Sequence, residues 1–184
     1  MPTWAWIVIV VAAAIVVLGA LGVAWRAQRS KKLRTAFGSE YDRVAADAPS
    51  RREAEAELRE RQRRHEEFDI RPLDPPARDR YLARWQHTQA TFVDDPAGAV
   101  TEADLLIQEV MRERGYPVED FDTRAGDLSV DHPDVVEHYR AAHGVAVADE
   151  RGKADTEDLR QAVQHYRALF EELLETRERQ EVNR

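Results

Sequence analysis

The chain has 184 residues, of which 62 are charged and none is cysteine, and its formal net charge is −8. Residues 1–25 carry no charged side chain and 21 of them are apolar, so every charge falls in the other 159 positions. This partition excludes a simple soluble globule and a polytopic transporter. The absence of cysteine excludes disulfides, thiolate catalysis and cysteine-ligated metals.

The apolar segment of residues 1–25 predicts a transmembrane anchor. As a helix, its roughly 21 central residues would span about 31 Å, which matches a hydrocarbon core of about 30 Å. Trp4, Trp6 and Trp25 lie at its two ends, and tryptophan prefers the headgroup level of a bilayer. A cleavable secretory signal would instead have a basic start and an apolar core of about 7–15 residues. We therefore expect a retained anchor.

A basic cluster follows the anchor and predicts its orientation. It places five positive charges in nine residues and consists of Arg26, Arg29, Lys31, Lys32 and Arg34. The positive-inside rule puts the N-terminus outside and residues 26–184 in the cytoplasm. The same cluster would attract anionic lipid headgroups, although stopping translocation would also account for it. The predicted location is the cell membrane, with a single pass.

The polar body, residues 35–184, has 22 basic and 35 acidic side chains, so nucleic acid is not an expected partner. Its elements are predicted to be helical, because no alternating strand pattern occurs. Residues 26–48 read as a basic juxtamembrane stretch and an amphipathic stalk with a bend at Gly38. A charged spacer helix follows at 49–68 and is expected to be solvated or to pair as a coiled coil.

A proline-rich linker at 69–76 separates this spacer from a bundle predicted for residues 77–176, and a disordered tail is expected at 177–184. The predicted fold is therefore all-α: one transmembrane helix, a charged stalk helix and an antiparallel bundle of about five helices. Helix boundaries follow from local signals. The starts are Ser50 to Glu53 as a capping box, Asp74-Pro75, Asp95-Pro96, His132-Pro133 and Asp155 or Thr156, and the ends are Gly115 and Gly152.

The sequence carries no recognisable catalytic or cofactor-binding motif, so we expect neither an enzyme nor a cofactor. Asp131, Asp134 and His138 share a helix face at spacings of three and four and are the candidates for a metal site. Carboxylates before a helix are also explained by its free amides and dipole, which is the simpler interpretation of Asp131 and Asp134.

Five aromatic residues form the candidate partner groove, although their helical spacing is also typical of a plain core: Tyr81, Trp85, Phe92, Tyr139 and Tyr166. Tyr139 and Tyr166 belong to two similar six-residue segments, which we call the echo. E-H-Y-R-A-A begins at Glu137 and Q-H-Y-R-A-L begins at Gln164, 27 residues later. The echo indicates either a decayed helical repeat or two helices that contribute tyrosine to one core.

Several whole phrases carry a resemblance to a known family. They are R-Y-L-A-R-W-Q-H-T-Q-A-T-F-V-D-D-P from Arg80, V-M-R-E-R-G-Y-P-V-E-D-F from Val110, L-S-V-D-H-P from Leu128 and H-Y-R-A-L-F-E-E-L-L from His165. Over about residues 33–175 the chain resembles an uncharacterised bacterial, largely actinobacterial, family of short single-pass membrane proteins with a helical tail. The resemblance implies this architecture and brings no activity with it.

The sequence thus favours a membrane-tethered cytoplasmic helical module that binds a protein partner or itself. Two other classes stay open. The first is an envelope-facing helical protein whose anchor is an uncleaved export signal. The second is a sensor responsive to a metal or small molecule through Asp131, Asp134 and His138.

Overall fold

The computed structural model describes residues 17, 18, 20, 21, 25 and 27–182, with side chains as far as Glu175. Every regular element in this part of the chain is an α-helix, which confirms the predicted all-α class. Residues 27–37 form α1. The other helices are α2 (Ser39–Asp47), α3 (Arg51–His65), α4 (Pro75–Thr91), α5 (Pro96–Arg114), α6 (Phe121–Asp131), α7 (Val136–Glu150) and α8 (Thr156–Val182).

The predicted transmembrane segment lies largely outside the described residues. Of residues 1–25, the structure describes 17, 18, 20, 21 and 25, all of them helical. Within the described positions, no helix combines the length and the apolarity needed to cross a bilayer. The predicted anchor therefore stays a prediction from the sequence.

The chain divides into two compact units between Leu58 and Arg59, inside α3. The first unit has a small core made of one face of each of its helices: Leu33, Phe37, Tyr41, Val44, Ala54 and Leu58. A hydrogen-bond network joins these helices. Arg51 donates to the hydroxyl oxygens of Ser30 and Tyr41, over 2.7 and 2.9 Å, and the Tyr41 hydroxyl donates to Glu55. The stalk and the start of the spacer thus fold together, because α3 buries Ala54 and Leu58 completely.

The second unit is the predicted helical bundle, and it contains α4 to α8. Its core draws on every one of these helices, and α7 and α8 have the most extensive contact of any described helix pair. The largest completely or almost completely buried side chains of this core are Tyr139, Tyr166, Phe170, Leu106, Ile107, Met111, Leu128, Leu169 and Leu173. This burial follows the predicted apolar stripes, which repeat every three or four residues on each helix.

Most of the predicted helix boundaries are confirmed by their capping bonds. The carboxylates of Asp74 and Asp95 accept the backbone N–H groups of Ala77 and Gly98, over 2.7 and 2.9 Å. Each acid precedes a proline at the first helical position, where the missing N–H costs nothing. The predicted bend at Gly38 is also present, with a left-handed φ of 52°.

One predicted boundary is wrong. His132-Pro133 does not begin a helix: His132 caps the C-terminus of α6, and α7 begins only at Val136. Asp131 is therefore the last residue of α6, where the helix dipole does not favour a carboxylate. Strong helix formers such as glutamate, glutamine and arginine continue α8 as far as Val182.

Candidate functional site

The aromatic residues predicted to form a partner groove lie in the core instead of lining an open surface. Tyr81, Trp85, Tyr139 and Tyr166 are buried, and Phe92 is partly buried against them. Trp85 stacks on Phe170 with ring centroids 4.7 Å apart, and Tyr139 meets Tyr166 edge to face. The burial of these four rings favours the plain-core alternative.

The three metal candidates do not come together. Asp131 contacts Tyr116 and His65, whereas the Nδ1 atom of His138 lies 2.9 Å from the Nδ1 atom of His165. Asp134 is exposed. Among the residues with described side chains, no group of three or more histidine, aspartate or glutamate residues is arranged to hold a metal ion.

The predicted membrane-interface residues are described only in part. Trp4, Trp6 and Arg26 lie outside the described residues. The other five are exposed: Trp25, Arg29, Lys31, Lys32 and Arg34. The guanidinium of Arg29 lies 3.9 Å from the centroid of the Trp25 ring, which is a cation–π contact at the end of the apolar segment.

A partly buried polar arrangement of the second unit joins the ends of three helices and a turn of α8. We call it the polar cluster; it consists of His65, Arg114, Tyr116, Asp131, His132 and Glu172. Gly115 positions two of these side chains by ending α5 with a left-handed φ of 96°. A Cβ atom at this glycine would lie 2.2 Å from the backbone oxygen of Asp69, so the turn between Arg114 and Tyr116 requires glycine for two independent reasons.

Asp131 is the centre of the polar cluster. Its Oδ2 atom accepts a hydrogen bond of 2.6 Å from the Tyr116 hydroxyl and lies 2.8 Å from Nε2 of His65. Burial tends to raise the pKa of Asp131, but the bonds from His65 and Tyr116 outweigh it and lower that pKa below its ordinary value. Asp131 is therefore a carboxylate at neutral pH, and Nε2 of His65 must carry the proton it donates.

Arg114 brings a positive charge into the interior beside this carboxylate. Its side chain is only 2% exposed. It donates to the backbone oxygen of Leu173 over 3.0 Å and packs against the ring of Tyr116, 5.6 Å from the centroid. Burial lowers the pKa of Arg114 despite the nearby charges of Asp131 and Glu172, although an arginine remains protonated at neutral pH. The cluster thus combines a buried cation with two acids.

His132 adds a second histidine–carboxylate contact. Its Nδ1 atom lies 3.2 Å from Oε1 of Glu172, while its buried Nε2 atom has no hydrogen-bond partner among the described residues. Burial and the positive charge of Arg114 lower the pKa of His132, against the opposite effects of Asp131 and Glu172. His132 is consequently neutral at pH 7, with its Nδ1–H directed at Glu172.

The polar cluster is extended by an ion pair between α3 and α6, in which Asp127 is buried and Arg64 is partly exposed. Two guanidinium nitrogens of Arg64 bond Oδ1 of Asp127, over 2.6 and 3.1 Å, and Asp127 is 1% exposed. Burial raises the pKa of Asp127 even though Arg64 opposes it. The end of α3 is therefore held to α6 by Arg64 and His65 together.

In the polar cluster, His65 and Asp131 are arranged as a histidine base oriented by a carboxylate, but their contact joins two helices. The carboxylate of Asp131 fixes His65 with Nδ1 as the nitrogen left to accept a proton. The Tyr116 hydroxyl is used as a donor to the same carboxylate, and burial together with the charge of Asp131 raises the pKa of its phenol. This chemistry favours positioning: His65 and Tyr116 hold the ends of α3 and α5 against the end of α6.

No protein-family model, curated protein or solved structure matches this chain.

Proposed function

We propose that this protein is a membrane-tethered cytoplasmic helical interaction module. In this proposal residues 1–25 cross the bilayer once with the N-terminus outside, and the two helical units lie on the cytoplasmic side. The resemblance to short single-pass bacterial membrane proteins agrees with this architecture. An envelope-facing location is the alternative that the experiment below would reveal.

The observation that carries the membrane proposal is a set of uncovered apolar side chains on the described part of the N-terminal segment. Val17, Leu18, Leu21 and Trp25 are 56 to 67% exposed. Apolar surface in water is unfavourable by about 25 cal/mol per Å², and the protein itself leaves these side chains without cover. A bilayer would cover them, and the exposed basic side chains that follow would then reach the headgroups.

The interaction half of the proposal rests on the α4–α5 hairpin. Leu82, Val93 and Leu105 are the large apolar side chains that the second unit exposes among its described residues, and Val93 is 83% exposed. Crosslinking in intact cells should give an adduct whose yield falls in the Val93→Asp, Leu105→Asp double variant. Gln89→Asp, which adds a charge at an exposed polar position of α4, should leave the yield unchanged. Equal yields in all three proteins would contradict an interface on this hairpin.

A topology measurement tests the membrane half. We would fuse to residue 184 either a reporter active only in the cytoplasm or one active only outside it. The proposal expects activity from the cytoplasmic reporter alone. Replacing the five basic residues of positions 26–34 by glutamine should reduce this preference, because the positive charges set the orientation. Activity of only the external reporter would overturn the cytoplasmic assignment and leave the envelope-facing alternative.

Retention in the membrane tests the anchor separately from its orientation. The Leu18→Arg, Leu21→Arg double variant should move a large part of the protein from the alkaline-washed membrane fraction to the supernatant. Each arginine costs about 2.5–3.5 kcal/mol at the centre of a membrane helix. Leu82→Arg adds a charge at an exposed position of the bundle and should leave the protein in the membrane fraction. Release of all three proteins to the same extent would contradict the anchor.

A further inference from the structure

The internal echo of the sequence places two histidines face to face. His138 lies on α7 and His165 on α8, 27 residues apart, and the two Nδ1 atoms are 2.9 Å from each other. Their rings are stacked, with centroids 5.1 Å apart and planes inclined by 28°. Both residues are partly exposed, so solvent and solutes can reach them. We call these two residues the histidine pair.

The echo is explained by the geometry of the α7–α8 hairpin. The residues that follow the two histidines are Tyr139 and Tyr166, which also meet each other, with ring centroids 6.2 Å apart. Equivalent positions of the two phrases therefore face each other across the contact between the helices. The tyrosines lie in the core, and the histidines lie one position earlier, at its edge.

The spacing of the histidine pair suits a metal ion. Imidazole nitrogens bind Zn²⁺, Cu²⁺ and Ni²⁺ at about 2.0–2.1 Å, which separates two neighbouring ligands by about 2.9 Å in a square-planar site and about 3.3 Å in a tetrahedral one. The Nδ1 atoms of His138 and His165 lie 2.9 Å apart. In the metal-free protein one Nδ1–H donates to the other Nδ1; with a metal bound, both protons would be on Nε2.

We propose that the histidine pair binds a transition-metal ion that prefers imidazole, Cu²⁺ above all, and that this ion links α7 to α8. Water would complete the coordination sphere, because the described residues offer no third acid or histidine in reach of such a site. Imidazole affinity rises from Mn²⁺ to Cu²⁺ and falls again at Zn²⁺, whereas Mg²⁺ and Ca²⁺ prefer oxygen ligands. The proposal does not depend on the membrane anchor or on a protein partner.

The electrostatic surroundings favour the neutral form of His165. Burial lowers the pKa of His165 below its ordinary value, and the proximity of His138 lowers it further. His165 is therefore neutral at pH 7.5, with lone pairs available for a metal. A bound ion would also stabilise the fold, because it binds a site that exists only when α7 and α8 are packed together.

The test is thermal unfolding of the full chain, purified in detergent without a polyhistidine tag and followed by circular dichroism at pH 7.5. CuCl₂ should raise the unfolding midpoint, NiCl₂ and ZnCl₂ should raise it less, and MgCl₂ should not change it. The His138→Ala and His165→Ala variants should each bind Cu²⁺ at least about tenfold more weakly, since losing even an indirect partner of a metal costs that much. His87→Ala, which removes an exposed histidine of α4, should bind Cu²⁺ as the natural protein does.

Electron paramagnetic resonance of the chain with one equivalent of Cu²⁺ identifies the ligands directly. The natural protein and His87→Ala should show coupling to two imidazole nitrogens, and each single variant of the histidine pair should show one. Should an alanine variant lose helix content without metal, His138→Gln and His165→Gln take its place. Any of three results would overturn the proposal. Cu²⁺ does not stabilise the natural protein, Cu²⁺ stabilises the His138→Ala, His165→Ala double variant to the same extent, or the spectrum of the natural protein lacks coupling to two nitrogens.

Discussion

The polar cluster and the exposed ion pairs use the same residue types in opposite ways. On the surface of α3, Arg63 bonds Glu60 within the helix and Glu67 just beyond its end, so that all three charges stay within eight consecutive residues. In the polar cluster, Arg114 and His132 are buried and reach partners 59 and 40 residues away in the chain. The first arrangement supports a single helix, whereas the second fixes the positions of several helices relative to one another.

The two arrangements differ in whether water can replace a hydrogen-bond or ion-pair partner that has been removed. Water readily solvates an exposed arginine whose carboxylate has been removed, and salt screens the pair in any case, so such pairs contribute little to stability. Inside the protein no water is at hand, and a charge or polar atom left without its partner keeps its full desolvation cost. We therefore expect substitutions of the buried members of the polar cluster to destabilise the protein more than substitutions in the surface pairs do.

The strongest contrast is expected for two arginine substitutions. Arg114→Met should lower the free energy of unfolding by about 3 kcal/mol, because it removes the buried donor to the Leu173 oxygen and the cation that faces Asp131 and Glu172. Arg160→Met removes an exposed pair with Glu157 and should leave the urea midpoint unchanged within error. Urea unfolding in detergent, followed by circular dichroism at pH 7.5, measures both. Equal losses would show that burial does not separate the two regions.

Two glycine substitutions test whether the backbone at Gly115 is needed to position the polar cluster. Gly115→Ala should destabilise the protein by about 2 kcal/mol or more, since its φ is left-handed and its new Cβ would collide with the Asp69 oxygen. Gly144→Ala is the matched control: this glycine is inside α7 with open space around it, so alanine should stabilise the helix by about 0.5–1 kcal/mol. The same urea titration applies. Opposite signs are expected, and two stabilising substitutions would contradict the role given to Gly115.

The sequence predicts the parts of this fold whose causes are local. Asp74, Asp95 and Gly115 mark helix ends because a cap acts within three or four residues of its own position. The apolar stripes of the bundle are equally local, since a period near 3.6 selects one face of each helix. The all-α class and the five bundle helices followed from these signals.

The polar cluster could not be predicted in this way. Asp131 bonds Tyr116 and His65, which lie 15 and 66 residues away, and neither spacing has a helical period. The prediction that Asp131 begins a helix failed because Pro133 resembled a helix start, whereas the turn at residues 133–135 delays α7 to Val136. One signal was available: Asp127 and Asp131 are four residues apart on the same helix, and both turned out to bond the end of α3.

The two aspartates that were candidates for a metal are both exposed, but only Asp131 bonds to other members of the polar cluster. Asp131→Asn should cost about 1 kcal/mol, because it replaces charge-assisted bonds from Tyr116 and His65 by neutral ones. Asp134→Asn alters an exposed side chain outside the cluster and should change the free energy of unfolding by less than about 0.5 kcal/mol. Guanidinium would screen charges, so urea is the denaturant of choice. Equal effects of the two substitutions would mean that the bonds to Asp131 add nothing to stability.

The smallest expected effect is the contribution of buried His132 to the pH dependence of stability. Burial and Arg114 lower the pKa of His132, so the folded protein binds a proton there less readily than the unfolded chain does, whose histidine titrates near pH 6.5. The stability from neutral His132 is complete above about pH 6.5 and is lost as pH falls toward the folded pKa. His132→Asn keeps an N–H for Glu172 but does not titrate, so its free energy of unfolding should decrease less than that of the natural protein between pH 7.5 and 5.5.

The natural protein and the His132→Asn variant also provide a control at higher pH. Between pH 7.5 and 8.5 His132 is neutral in both the folded and the unfolded chain, so the natural protein and the asparagine variant should change in parallel. Between pH 7.5 and 5.5 the two curves should converge, although His143 and His165, whose pKa values burial also lowers, keep part of the slope in both. Parallel curves over the whole range would mean that the charge of Arg114 and the burial of His132 are balanced by Asp131 and Glu172. The polar cluster would then respond to pH no more than the exposed ion pairs do.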